Sequence, residues 1–162
     1  MTRRYQALIG RIQIMLNDLD RIINRAESLC EKALRSGDDG YWDGVALNLH
    51  GFYAGVEQIF EDIAKNVEVS LPTGPDWHRD LLVQMTTDFP SSRPAVISQD
   101  TRRCLDEYRG FRYVVRNVYT FNLRSSRLQE LADGVRSCMG RLEVDLTEFM
   151  DFLGNLDRVV GE

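Results

Sequence analysis

Arg112, Arg116 and Tyr119 follow one another at steps of four and three residues, so on a helix their side chains share one face. Two guanidinium groups one turn apart repel by roughly a few tenths of a kcal/mol unless an anion lies between them. The tyrosine, a turn further on, adds a hydroxyl that can donate to a phosphate group, accept from it or be modified. The chemistry of such a face is phosphate recognition. Of the two histidines, His50 follows Leu49 on a helix and fits a structural role. His78, beside Trp77 at the start of a short helix, would support the arginines if the fold brought it to them. The chain has no HExxH, no His/Cys cluster, no Gly-rich phosphate loop and no nucleophile elbow. The acidic sets Glu57/Glu61 and Glu143/Asp145/Glu148 fit solvent-facing helix positions, and a divalent ion in a bundle needs ligands from several helices. No metal and no cofactor are expected.

Charge distribution sharpens this reading. The net charge of −5 argues against a protein that grips nucleic acid with its whole surface. Between Thr101 and Arg127, however, seven arginines face only Asp106 and Glu107, a local balance of +5 that leaves −10 for the rest. All but Lys32 and Lys65 of the basic residues are arginine, the side chain suited to bidentate phosphate contacts. A basic strip on an acidic body fits a local phosphate site, an acidic partner, a second copy of the chain, or simply a solvated face with ion pairs.

Helices must position these residues. Tyr5, Leu8, Ile12, Met15, Leu19, Ile22, Ala26, Leu29 and Ala33 recur at three- and four-residue steps and predict one long helix, ended by the turn cluster Ser36-Gly37-Asp38-Asp39-Gly40. A second helix follows over 41–67, with Val45, Leu49, Phe52, Val56, Ile59 and Ile63 on one face. The short connection favours an antiparallel pair. Leu71-Pro72-Thr73-Gly74-Pro75 breaks the pattern, and Asp76 is placed to cap a short helix over 77–86. The run from Asp88 to Pro94 reads as a loop. A fourth helix is predicted over 98–119 and a fifth over 125–156, where Gly134 and Gly140 predict a kink or a fray.

The run Arg112-x4-Asn117-x-Tyr119, set late in this order of helices, resembles the HEPN superfamily and specifically its HepT-like branch. That branch carries arginine, four residues, histidine, one residue, tyrosine. Asp76-Trp77-His78-Arg79-Asp80-Leu81-Leu82 with Met85, and Arg93-Pro94-Ala95-Val96, are similar to a HepT-like subgroup. The resemblance implies an all-α, antiparallel bundle of about five helices, two of them long, with residues 1–162 as one HepT-like domain. It further implies a homodimer that joins two motifs in a shared cleft and cleaves RNA without metal, as the toxin of a toxin–antitoxin system. Arg112 would hold the scissile phosphate, with Arg116 and His78 in support. Tyr119 would be the site where a nucleotidyltransferase antitoxin attaches AMP. The match breaks at the proton-transfer position. Asn117 stands where the family has histidine, and an amide has no titratable group near neutral pH. Tyr113 also replaces the usual polar residue after the arginine. A site without general acid–base catalysis forgoes about 10²–10⁴-fold in rate, so the enzyme label stays open. The alternative is a non-catalytic HEPN module that binds the nucleotidyltransferase, and beyond that a plain helical scaffold.

The remaining features are those of a globular protein. Hydrophobic residues make up 43% and charged residues 28%. No apolar run is long enough for a membrane span, and the N-terminus leads into a charged amphipathic helix rather than a secretory signal. Cys30, Cys104 and Cys138 lie far apart, odd in number and without CxxC spacing. They read as reduced apolar residues in a cytoplasmic protein.

Overall fold

The computed structural model describes residues 4–117 and 123–161, and for residues 116, 117, 160 and 161 the backbone alone. The fold is all-helical: α1 (Gln6–Ser36), α2 (Gly40–Ile63), α3 (Trp77–Met85), α4 (Gln99–Asn117) and α5 (Ser125–Gly161). No described helix is long and apolar enough to cross a membrane.

The stripe on α1 drives the first pairing. Leu8, Ile12, Leu19, Ala26, Leu29 and Ala33 are buried as the periodicity requires. At the middle of the helix Leu16 and Ile23 enter the core, while Met15 and Ile22 pack only partly against it. Gly37 ends the helix in the left-handed region (φ 70°) and returns its N–H to the Ala33 carbonyl at 3.0 Å. Antiparallel register with α2 is fixed by Arg11, which grips Asp62 through two hydrogen bonds of 2.8 and 2.9 Å. It is fixed again by two close approaches, since a Cβ at Gly44 or Gly55 would meet the side chain of Leu29 at 2.8 Å or Leu19 at 2.6 Å.

Helix α5 runs antiparallel to both α1 and α4. Arg136 bonds Glu27, Asp20 and Asn24 of α1, and near the other end Asp157 accepts the Tyr5 N–H at 3.0 Å. Tyr108 of α4 donates to the Leu131 carbonyl at 2.7 Å, and Asp145 accepts from Thr101 at 2.6 Å and from the Ser98 N–H at 2.9 Å. Asp145, expected to face solvent, thus caps the start of α4 from across the bundle. The helix is continuous through Gly134 and Gly140, with no break at either. A Cβ at Gly134 would meet the Tyr108 hydroxyl at 3.4 Å, an ordinary van der Waals contact.

Helices α2 and α4 pack where Phe52 meets Tyr108 edge-on at 5.3 Å and where Glu57 meets Arg112. A crossover over residues 69–98, with α3 in the middle, connects them. The last turn of α2 widens to a π turn, Ala64–Glu68, and closes at Val69 with φ 56°. Glu68 there receives the Arg93 guanidinium and the Gln84 amide. Arg93, its side chain fully buried, also donates to the carbonyls of Thr87 and Pro94 at 2.9 Å and of Gln84 at 3.0 Å. The crossover is therefore pinned at the foot of α3. Asp76 occupies the N-cap of α3, but its carboxylate does not cap it.

Cys104 and Cys138 form a disulfide (Cα–Cα 5.8 Å), and Cys30 is the free thiol, buried in α1. This corrects the reading of all three as separate reduced residues. Antiparallel packing of α4 on α5 brings together two positions 34 residues apart, which no local spacing signals. Protein denatured without reductant is expected to take one alkyl group, at Cys30, and three after reduction; mass spectrometry showing three in both cases contradicts the pairing. Gly55→Val should cost about 1–3 kcal/mol in urea unfolding, because a branched side chain has to displace Leu19 from a close-packed contact. An unchanged midpoint would contradict that contact.

Candidate functional site

The site grows from one buried carboxylate. Glu57 sits on α2 four residues after Tyr53 and one turn before Glu61, a pattern that reads as solvated. In the fold it is only 3% exposed, which corrects that expectation. An ionised carboxylate out of water costs several kcal/mol unless paired and hydrogen-bonded. Glu57 has two such partners. Arg112 of α4 donates to one oxygen, and Nδ1 of His78, on α3, lies 2.5 Å from the other. Nδ1 of His78 is also 3.0 Å from the Arg112 guanidinium.

The tautomer is assigned from these contacts and not from a located proton: the Glu57 oxygen at 2.5 Å outweighs the Arg112 guanidinium at 3.0 Å, which has Glu57 as its own acceptor. Were Nδ1 bare, its lone pair would press against the carboxylate lone pairs at 2.5 Å. With the proton on Nδ1, the short contact is a charge-assisted hydrogen bond, and Arg112 and His78 both donate to the same anion. Nε2 then keeps its lone pair on the opposite edge of the ring. The Trp77 indole stacks on the imidazole with centroids 3.7 Å apart and restrains its rotation.

Beside this cluster opens a cleft of about 570 Å³, lined by Pro75, Asp76, His78, Arg79, Arg109, Arg112 and Tyr113. Three guanidinium groups face one lining carboxylate there. Arg109 is bonded to Asp106 at 2.7 Å and Arg79 lies 3.5 Å from Asp76. The Arg112 side chain is 17% exposed and its Nε has no acceptor among the described residues. The Tyr53 hydroxyl, also buried, likewise has none. Burial first, and then the charge of Glu57, raise its pKa far above the ordinary phenol value, so it stays a neutral donor. Elsewhere in the basic strip Arg103 pairs with Asp100 at 2.7 Å and Arg127 with Glu130 at 3.2 Å.

Of the residues singled out in the sequence, the fold joins Arg112 and His78. The side chains of Arg116 and Asn117, and all of Tyr119, lie outside the described residues. Tyr113, which replaces a polar residue of the motif, is exposed on the cleft wall. Glu57 was missed as a site residue. Its one signal was position, since on α2 it falls one residue after Val56 and two before Ile59, on the edge of the apolar face.

A family model described as HepT-like protein matches residues 44–153, a span that holds Glu57, His78 and Arg112. No curated protein and no solved structure matches the chain.

Glu57→Ala should destabilise the fold by about 3–5 kcal/mol in urea unfolding, because it strands the Arg112 charge in a partly buried site. Adding Arg112→Ala to that variant should recover part of the loss. A cost under about 1 kcal/mol for Glu57→Ala would mean that the pair is not buried as described.

Proposed function

We propose, for a chain that belongs to the HepT-like family of the HEPN superfamily, that it is the RNA-cleaving toxin of a toxin–antitoxin pair and acts without metal. The observation that carries this reading is Arg112 lining a cleft together with Arg79 and Arg109. A phosphate entering there meets planar, permanently charged donors whose geometry matches its oxygens. In a partly desolvated cleft such donors stabilise the extra negative charge that builds up as the phosphate is attacked, and one fixed donor is typically worth about 10²–10³-fold in rate. Arg112 is already aimed by Glu57, so little reorganisation accompanies binding. Arg116 adds a second charge one turn further along the same helix.

The active species in this reading is a homodimer whose two motifs share a cleft. Its partner is a nucleotidyltransferase antitoxin, which silences the toxin by attaching AMP to Tyr119. Asn117 orients a water or a phosphate oxygen but cannot accept a proton at neutral pH. That same amide favours a second reading, a HEPN module that keeps partner binding without cleavage. It would co-purify with the nucleotidyltransferase and leave RNA intact.

Purified protein should cleave single-stranded RNA, and Arg112→Ala should lower the rate by about 10²–10³-fold. Arg112→Lys, which retains the charge on Glu57 but not the planar fork, should fall between the two. Cleavage indifferent to both substitutions would remove the phosphate role from Arg112.

A further inference from the structure

The motif position that should move a proton is occupied by Asn117, yet the fold holds a histidine in contact with the motif arginine. His78 comes from α3, on the crossover, 34 residues before Arg112 and outside the motif altogether. It has the three attributes of a working proton acceptor. Its Nδ1 is bonded to a buried carboxylate at 2.5 Å, its ring is stacked on Trp77, and its side chain, 27% exposed, lines the same cleft as Arg112. A histidine that merely satisfied Glu57 would have no need to border that cleft. A carboxylate behind Nδ1 fixes the tautomer, turns the Nε2 lone pair outward and stabilises the imidazolium once it forms.

We propose that His78 is the proton acceptor of this cleft and Glu57 its positioning residue, together replacing the function lost at position 117. The inference rests on the reading of the cleft as an RNA-cleaving site. In the step assigned to it, Nε2 takes the proton of a ribose 2′-hydroxyl. The 2′-oxygen forms a bond to the adjacent phosphorus while the bond from phosphorus to the 5′-oxygen breaks, and Arg112 holds the phosphate oxygens. The leaving 5′-oxygen takes a proton from solvent water, and the hydroxide so formed removes the proton from Nε2. The products are a 2′,3′-cyclic phosphate and a 5′-hydroxyl, with the histidine restored.

The test uses a short single-stranded RNA labelled at both ends, and its 2′-O-methyl counterpart, which binds but cannot react. His78→Gln keeps a donor for Glu57 and removes the acceptor. It should bind the 2′-O-methyl strand within about twofold of wild type and cleave RNA about 10²–10⁴-fold more slowly. In His78→Ala, added imidazole should restore part of the rate, which a purely structural role would not allow. If His78→Gln proves unfolded by circular dichroism, Glu57→Gln carries the test. It keeps the ring but weakens the orientation of both His78 and Arg112, and cleavage should drop by about tenfold or more. Wild-type cleavage with His78→Gln or Glu57→Gln within about threefold of it overturns the assignment and leaves the ribonuclease reading standing. Wild-type protein that binds the RNA without cleaving it, or does neither, overturns both.

Discussion

An ionised carboxylate inside a helical bundle has to find donors, and in this protein the donors of Glu57 come from two other helices. Removing a carboxylate from water costs several kcal/mol, and that cost is offset only when its oxygens are bonded. One oxygen is met by Arg112 on α4, the other by His78 on α3. Helix α2 is therefore tied to both neighbours at one point, and two of the groups that meet there, Arg112 and His78, line the cleft. Stability and site geometry are coupled there: a change that loosens the ion pair also misdirects the two groups that would meet a substrate.

The connection from α2 to α4 supplies the third helix of this meeting. Between α2 and α4 the chain runs through α3, whose first turn meets Glu57 and whose last turn meets Glu68. Arg93 anchors the far end of α3 by bonding the carboxylate of Glu68 and three backbone carbonyls. Each buried charge in the crossover is thus matched by another. The Cys104–Cys138 disulfide and the bond from Tyr108 to Leu131 hold α4 against α5 on its other side. The arginine that faces the cleft rests on a helix clamped from both directions.

Much of this architecture is legible in the sequence because helical periodicity is a local signal. The stripe on α1, the turn at Gly37 and the break around Pro72 and Pro75 each follow from neighbours a few residues apart. The drift from Met15 to Leu16 and from Ile22 to Ile23 arises because a straight helix has 3.6 residues per turn, so a strict seven-residue stripe slides around its surface. The spacing that singled out Arg112 was also local. What stayed hidden is what depends on tertiary contact. Glu57 reads as solvated because Glu61 stands one turn away, and only the packing of α3 and α4 shows that it is buried. The approach of His78 to Arg112 and the bridging of Cys104 to Cys138 span 34 residues each, beyond any periodic pattern. Gly134 and Gly140 predicted a weak point in α5, but the helix runs through both without a break.

The central claim is that a buried carboxylate holds the His78 ring with its proton on Nδ1 and its lone pair toward the cleft. The most direct measurement is nitrogen-15 NMR of the imidazole in uniformly labelled protein, at a pH where the ring is neutral. The account predicts a protonated Nδ1 and a bare Nε2 for His78, lost in Glu57→Gln. A neutral ring with its proton on Nε2 in the unaltered protein would contradict it.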